Sequence, residues 1–179
     1  CPEVAGLLYV VDDTGPSCRT PNSGVLLLNA KTDALIAFDN ARSAARGTPQ
    51  AISGDLNGLT LYPGLYESGS TIEISPGGFL YLDAQGDKNA VFIIRSANSI
   101  TTEDQSKVVL TKAARASNVY WMAGTAITLG TDSIMKGTLI AGTAISLLNG
   151  ADLSGRALNQ GPAAAAITLD ASTVVIPRP

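Results

Sequence analysis

The sequence predicts a mainly β protein: a right-handed parallel β-helix, or solenoid, of triangular cross-section, with one long α-helix packed alongside. Three observations predict this fold. Five short segments repeat the same isoleucine-centred pattern, one stretch near the amino terminus has helical periodicity, and glycine-containing dipeptides separate the strand-like segments. Charged residues make up only 15% of the 179 residues, below the usual quarter, which suits a solenoid with broad uncharged faces.

Each repeat has an isoleucine at its centre, flanked by small residues and hydroxyls. The five segments are residues 70–74, 98–102, 125–129, 143–147 and 165–169. Because strand side chains alternate, inward isoleucines place both neighbouring residues outward. The isoleucines stand at 72, 100, 127, 145 and 167, so the intervals are 28, 27, 18 and 22 residues. These intervals predict stacked but irregular turns of a solenoid.

The long helix is predicted over residues 22–47, with Asn22 or Ser23 as its cap. Its buried stripe is expected to contain Val25, Leu28, Leu35, Phe38 and Ala45, which lie near 3.5-residue spacing. Gly47 is a natural stop. Residues 1–21 are expected to form an N-terminal segment or cap with one strand at residues 6–11.

The β-solenoid is predicted over residues 52–176, and the chain 1–179 is expected to be a single domain. One further set of apolar strands contains residues 79–82, 108–110 and 174–176, and another contains 90–94 and 118–122. The step from Ile127 to Ile145 holds strand-like pieces at 126–129, 133–135 and 138–141, which predicts three strands per turn. Parallel stacking with right-handed crossovers is the default for such connections. The helix is placed against the 90–94 and 118–122 set, because strands that are apolar at consecutive positions suit a sheet covered on both faces.

This placement leaves the isoleucine side as a flat, uncharged, hydroxyl-bearing face. One outward column is expected to contain Thr71, Ser99, Ala126, Ala144 and Ala166, and the next Glu73, Thr101, Thr128, Ser146 and Thr168. Neighbouring strands lie ~4.8 Å apart, and outward positions along one strand ~6.6 Å apart. Rigid rows of hydroxyls and methyls can hold surface water in a repeated pattern, which favours recognition of a crystalline solid such as ice. Two alternatives remain open at this point: a plain solenoid wall, since threonine is a common outward strand residue, and a surface that binds carbohydrate.

Composition excludes several other classes of function. The chain has no histidine and only two cysteines, so the commonest general base and a cysteine-rich zinc site are both excluded. No metal site, cofactor or catalytic residue is predicted. The net charge of −3 without a basic stretch argues against nucleic acid as a partner, and no membrane span is present. Asp12 and Asp13 suit a calcium ion less well than a solvated loop.

The two cysteines, Cys1 and Cys18, predict one disulfide, with two free buried thiols as the alternative. A disulfide implies an oxidising, extracellular compartment. The adjacent acids Glu103 and Asp104 resemble the carboxylate pair of a sugar-cleaving enzyme. Neighbours on a strand point to opposite faces, however, so this pair predicts no hydrolase.

Several blocks in order along residues 25–176 resemble the microbial ice-binding (antifreeze) protein family. Residues 59–66, LTLYPGLY, resemble its LTxxPGxY signature, and residues 89–94, NAVFII, resemble its NAVWIFQI segment. Residues 118–121 followed by 126–131 resemble NVFWQVxGAVTLGT. Residues 153–158 and 166–170 resemble xNGRxLAQTAVTLDAxTV. Together these blocks are specific, although no single one would be.

The resemblance implies a discontinuous right-handed β-helix with a long helix alongside, secretion, no catalysis and adsorption to ice through a flat strand face. The ice-binding residues it implies here are Thr71, Ser99, Thr101, Thr125, Ala126, Thr128, Thr143, Ala144, Ser146, Ala166 and Thr168. The expected partner is an ice crystal surface, without nucleic acid or membrane, and the chain is expected to act as a monomer. The Thr-Ala-x-Thr pattern is complete at residues 125–128 and has a serine variant at 143–146, while Glu73 places a carboxylate in an outward row. The middle strands are therefore predicted to carry the binding.

Overall fold

The computed structural model describes residues 8–9, 19–20, 24–43, 47–160 and 166–177. Within these residues the protein is mainly β, with one α-helix, α1, over Gly24–Arg42 and a short 3-10 helix over Ala116–Asn118. The strands are β1 (Leu8–Tyr9), β2 (Arg19–Thr20), β3 (Gln50–Ala51), β4 (Gly54–Asp55), β5 (Thr60–Leu61), β6 (Gly64–Ser68), β7 (Ile72–Ile74), β8 (Phe79–Asp83), β9 (Phe92–Ser96), β10 (Ile100–Thr102), β11 (Lys107–Thr111), β12 (Val119–Ala123), β13 (Ile127–Leu129), β14 (Ile134–Ala141), β15 (Ile145–Leu147), β16 (Asp152–Asn159), β17 (Ile167–Leu169) and β18 (Thr173–Val175).

The chain coils so that each turn contributes to three columns of parallel strands. From β7 it passes through β8 and β9 to β10, which pairs with β7. In the same way β11 pairs with β8, and β12 pairs with β9. The first column is a six-stranded sheet in the order β4-β7-β10-β13-β15-β17. The second column contains β5, β8, β11 and β18, the third contains β3, β6, β9 and β12, and the longer strands β14 and β16 contribute to both. The two sets of apolar strands predicted from the sequence are thus confirmed as separate columns.

Strand β14 corrects one detail of the prediction. The sequence predicts two strands, at 133–135 and 138–141, and the structure joins them into one. Its first residue, Ile134, pairs with β11, whereas Thr138 pairs with Tyr120 of β12. Gly137 bends the strand between the two columns at φ = 117°. A Cβ there would lie 2.6 Å from the carbonyl oxygen of Val119, so glycine turns this corner without ending the strand.

The hydrophobic core fills the inside of the coil. It is built from inward side chains of all three columns, including Ile100, Phe92 and Trp121, which are at most 1% exposed. The indole N–H of Trp121 donates to the carbonyl oxygen of Lys136 at 2.8 Å. Trp121 is therefore a core residue with its one polar group satisfied.

The corner before β6 explains the LTLYPGLY block in physical terms. The Tyr66 ring is buried and lies close to Gly64. Its hydroxyl donates to the carbonyl oxygen of Tyr62 at 2.8 Å and accepts the N–H of Tyr62 at 3.1 Å. A Cβ on Gly64 would already be in contact with this ring, 3.7 Å from Cε2. One side chain thus satisfies both backbone groups of the residue that enters the turn.

Helix α1 packs against the third column, as predicted, but through fewer residues. Phe38 and Ala41 are buried against Met122 of β12 and Ile140 of β14. The buried side chain of Arg95 on β9 donates from Nη1 to the carbonyl oxygen of Ala41 at 3.0 Å. A cation at this end of a helix satisfies a free carbonyl and complements the helix dipole.

The predicted extent of the helix and its stripe are wrong in part. The helix ends at Arg42 rather than near residue 47, and the N–H of Ser43 donates to the carbonyl oxygen of Asn40 at 3.3 Å, the tighter bonding typical of a helix end. Of the predicted stripe, Phe38 is buried, but Val25, Leu28 and Leu35 are 75%, 65% and 48% exposed. Among the helix side chains that the structure describes, the buried ones, Phe38 and Ala41, lie in the last turns, so helical spacing alone overestimates the buried stripe.

Several predictions fall on residues outside the described part of the chain. They are the Cys1–Cys18 disulfide, the cap at Asn22 or Ser23, the acids Asp12 and Asp13, Ala45 of the helix stripe, and Ala165 of the fifth repeat. Of the strand predicted at residues 6–11, the structure describes Leu8–Tyr9 as β1, paired in parallel with Arg19–Thr20. In the described residues, no helix combines the length and apolar character needed to cross a membrane.

Candidate functional site

The isoleucine repeats form one continuous surface, named here the isoleucine face: the outward side of β4, β7, β10, β13, β15 and β17. Each strand is one rung of this face. The register places the five repeat isoleucines directly opposite one another, from Ile72 through Ile100 and Ile127 to Ile145 and Ile167. The first four are at most 1% exposed, so they anchor the rungs to the core and leave their neighbours outward.

The outward column after the isoleucines is in register across every rung. It runs from Asp55 through Glu73, Thr101, Thr128 and Ser146 to Thr168. Thr101, Thr128 and Ser146 are half-exposed, while Glu73 and Thr168 are exposed. The column before the isoleucines contains Thr71, Ser99, Ala126, Ala144 and Ala166, of which the first four are half-exposed. The structure therefore brings both predicted columns together on one surface.

Thr125 and Thr143 lie at the corner where the chain enters the face, and both are exposed. The N–H of Thr125 donates to the carbonyl oxygen of Asn98 at 2.9 Å, and the N–H of Thr143 donates to that of Thr125 at 3.0 Å. This corner ladder keeps the two threonines at the spacing of the rungs. Glycine precedes each of them, and a Cβ on Gly142 would lie 2.2 Å from the carbonyl oxygen of Gly124. The close approach of these backbones requires glycine at the corner.

The last rung departs from the prediction that every repeat isoleucine is buried. Ile167 and Leu169 of β17 are 43% and 54% exposed, whereas Ile145 and Leu147 in the same columns of β15 are at most 1% exposed. Among the described residues, β17 is the last strand at this end of the six-stranded sheet. Its inward side chains are therefore covered from one side only.

The opposite end of the face is acidic. The carboxylate of Asp55 on β4 accepts the Ser75 hydroxyl, and also the N–H groups of Asn57 at 2.9 Å and Ser75 at 3.1 Å. These bonds lower the pKa of Asp55 below its usual value, and the bond from the Ser75 hydroxyl has the largest effect. Asp55 is thus tied into the turn after β7. Glu73 stands exposed beside it in the outward column.

The hydroxyls nearest this end differ from those at the centre. Thr71 Oγ1 and Ser99 Oγ lie 3.1 Å apart, within hydrogen-bond distance of each other. At the next two rungs Ala126 and Ala144 take the same column. The face therefore has a hydroxyl-paired, acidic half at β7 and β10, and a methyl-and-hydroxyl half from β13 onward.

Of the two acids considered for sugar cleavage, Asp104 has a structural role. Its Oδ1 accepts the N–H of Thr131 at 2.8 Å, which links the turns that follow β10 and β13. Among the described residues no group of three or more His, Cys, Asp or Glu side chains is placed to hold a metal ion. A cavity of about 310 Å³ lies between α1 and the third column, lined by Ala37, Ile93 and Tyr120 among others, away from the isoleucine face.

Sequence reasoning missed the first rung and the corner residues. Gly54 of β4 pairs with Ile72, and their separation of 18 residues equals that between Ile127 and Ile145, so the interval was the available signal. At the corners, the Ser96 hydroxyl donates to the carbonyl oxygen of Ser70 and the Asn159 amide donates to that of Thr143, so each side chain connects two turns. No periodicity in the sequence marks them.

Comparison with known proteins gives a consistent picture. Residues 2–175 match the family described as Ice-binding-like. The chain is 33% identical over 181 residues to an ice-binding protein of Flavobacterium frigoris (strain PS1), covering 99% of this chain and 62% of the relative. It is 32% identical over 178 residues to an ice-binding protein of Colwellia sp, covering 99% of this chain and 67% of the relative. The chain thus spans roughly two thirds of the length of these relatives or slightly less.

The solved structures with a similar fold include ice-binding proteins. An ice-binding protein from an Antarctic biological consortium has a TM-score of 0.78 and 41% identity, over 84% of this chain and 66% of that one. The domain of ice-binding protein 1 from Shewanella frigidimarina has a TM-score of 0.83 and 25% identity, over 96% of this chain and 73% of that one.

Proposed function

The chain belongs to the ice-binding-like family, and from that premise we propose that it adsorbs to ice through the isoleucine face and so inhibits ice growth or recrystallisation. The residues proposed to contact the ice are Thr71, Ser99, Thr101, Thr125, Ala126, Thr128, Thr143, Ala144, Ser146, Ala166 and Thr168. The role is non-catalytic and needs no cofactor.

The observation that carries the proposal is the unbroken register of the outward columns. Thr101, Thr128, Ser146 and Thr168 repeat at the strand spacing of ~4.8 Å, and each is fixed by the pairing of its own rung. Each hydroxyl can donate one hydrogen bond to water and accept up to two, whereas the threonine and alanine methyls can do neither. Water held at the hydroxyls and around the methyls is therefore ordered in rows before ice is met. Because the rows are held by the backbone, little side-chain freedom is lost on adsorption.

The central rungs are the best suited to this role. Thr125, Ala126 and Thr128 on β13, with Thr143, Ala144 and Ser146 on β15, present hydroxyl, methyl and hydroxyl in the same order. Their isoleucines, unlike Ile167, are fully buried. We therefore propose that β13 and β15 contribute most of the binding.

Finer features of the architecture belong to the same proposal. Three strand columns per turn with parallel pairing favour a right-handed coil of triangular cross-section, discontinuous because α1 interrupts the strands. We further propose that residues 1–179 act as one domain, as a monomer outside the cell, with Cys1 and Cys18 bonded. The cysteine pair supports the compartment.

A non-catalytic adhesive or carbohydrate-binding solenoid is the alternative considered from the sequence. The family match and the relatives favour ice over it. Glycan binding without any effect on ice would reverse that preference.

The experiment is thermal hysteresis of the wild type and of Thr128→Tyr, with Thr60→Tyr as the matched control. Thr128 is at the centre of the face, and a tyrosine there would hold the face off a flat crystal. Thr60 is an exposed strand threonine in the second column, so the same substitution leaves the face intact. We expect Thr128→Tyr to lose hysteresis while keeping its melting temperature, and Thr60→Tyr to keep both. Equal hysteresis in all three proteins would show that ice does not bind here.

A further inference from the structure

One column of residues at the ends of the third-column strands lies directly behind the corner of the isoleucine face. Ser68, Ser96, Ala123, Ala141 and Asn159 occupy this column in register. The middle positions are alanines followed by Gly124 and Gly142, where the corner ladder of backbone bonds is direct. The positions that flank these alanines, Ser96 and Asn159, are polar, and both contact backbone carbonyls at the entrance to the face.

Ser96 takes the place of a backbone bond in the corner ladder. At the next rungs the N–H groups of Thr125 and Thr143 donate to the carbonyl oxygen of the rung before. At Asn98 the N–H donates instead to Ser96 Oγ at 3.1 Å. The same Oγ lies 2.7 Å from the carbonyl oxygen of Ser70 and 2.9 Å from that of Ser99. Ser96 is only 2% exposed, and its hydroxyl thus joins the corners of β7 and β10.

Asn159 joins the corners of two neighbouring rungs at the other end of the face. Its side-chain Nδ2 lies 2.8 Å from the carbonyl oxygen of Thr143 and 3.3 Å from that of Ala166. These atoms are the counterparts, on β15 and β17, of the Ser70 and Ser99 carbonyls that Ser96 contacts. Two different side chains therefore make equivalent links, one on each side of the direct ladder through Asn98, Thr125 and Thr143.

We propose that Ser96 and Asn159 are positioning residues for the isoleucine face, an inference that rests on the ice binding proposed above. They contact no ice themselves. They fix the corners of the outer rungs against the central ones, so that the hydroxyl and methyl columns continue at one spacing across β7, β10, β13, β15 and β17. A surface that must match a lattice tolerates little displacement of its rows, because a misplaced rung no longer orders water in phase with its neighbours.

The test compares Ser96→Ala and Asn159→Ala with Thr111→Val. The Thr111 hydroxyl also joins two turns, donating to the carbonyl oxygen of Leu82 at 3.3 Å, but it lies in the second column. Thermal hysteresis and the pattern of ice planes bound by labelled protein are measured near 0 °C, on samples shown to be folded. We expect Ser96→Ala and Asn159→Ala each to reduce hysteresis by a factor of about two or more and to bind fewer planes. Thr111→Val should retain both properties.

A rescue variant separates positioning from general destabilisation. Ser96→Ala combined with Ala97→Gly gives this corner the Ala-Gly sequence of residues 123–124 and 141–142, where the backbone ladder is direct. We expect the double variant to recover hysteresis. If Ser96→Ala does not fold, Asn159→Ala carries the test alone.

Two outcomes overturn the inference: wild-type hysteresis in both Ser96→Ala and Asn159→Ala, or an equal loss in Thr111→Val. If the wild type has no effect on ice, the proposed function fails together with the positioning role. If the wild type is active, the variants test the positioning role alone.

Discussion

Replacing Glu73 by threonine should increase the activity of the isoleucine face. Glu73 pairs in register with Thr101 and is exposed in the same outward column. A carboxylate adsorbed on ice gives up part of its hydration without a cation to pair with, which is costly. A threonine there would continue the row and suits a strand.

The size of the gain follows from the geometry of the column. Thr101 to Thr168 covers four rungs and three gaps, about 14 Å at the strand spacing. Threonine at position 73 adds one gap and lengthens the row to about 19 Å, a gain of about one third. We expect hysteresis at a fixed protein concentration to rise by at least this proportion, because the carboxylate is removed at the same time.

The assay is thermal hysteresis against protein concentration, with Asp152→Thr as the control. Asp152 is an exposed acid at the start of β16, in the second column, so its replacement changes the net charge equally without touching the face. The control should match the wild type. If Glu73→Thr is no more active than Asp152→Thr, the acidic rung does not limit the face and the reasoning fails.

Two further predictions concern stability. Tyr66→Phe leaves the N–H and carbonyl of Tyr62 without the bonds of 3.1 and 2.8 Å that the phenol makes, so chemical denaturation should show a loss of about 1–3 kcal/mol; an unchanged free energy of unfolding would contradict this role. Asp83 and Lys112 form an ion pair of 2.9 Å in which Lys112 lowers the pKa of Asp83 and Asp83 raises the pKa of Lys112. The stability that the Asp83 carboxylate contributes is present above its unfolded-state pKa and is lost as pH falls through its lowered folded-state pKa. Between about pH 5 and pH 2 the melting temperature of the wild type should therefore fall more than that of Lys112→Gln. Equal falls in the two proteins would contradict this linkage.

The register of the face was predictable because it depends only on side-chain alternation and on parallel stacking of the repeats. Once Ile100 and Ile127 point inward, Thr101 and Thr128 must point outward, and parallel stacking aligns them.

Features that depend on contacts between turns were not predictable from the sequence. Among the side chains of α1 that the structure describes, the buried ones are Phe38 and Ala41 in its last turns, and helical spacing does not show which turns meet the sheet. Gly137 resembles a strand break, but in the coil it bends one strand between two columns. Ser96 is an ordinary strand-end serine in the sequence, and only folding brings the carbonyls of Ser70 and Ser99 to its hydroxyl.

The most direct test of the central claim is incorporation of fluorescently labelled protein into a growing single-crystal ice hemisphere, for the wild type beside Thr128→Tyr. Adsorption through the isoleucine face predicts that the wild type is taken into the ice in discrete planes and that folded Thr128→Tyr is excluded. Exclusion of the folded wild type, or equal incorporation of both proteins, would contradict it.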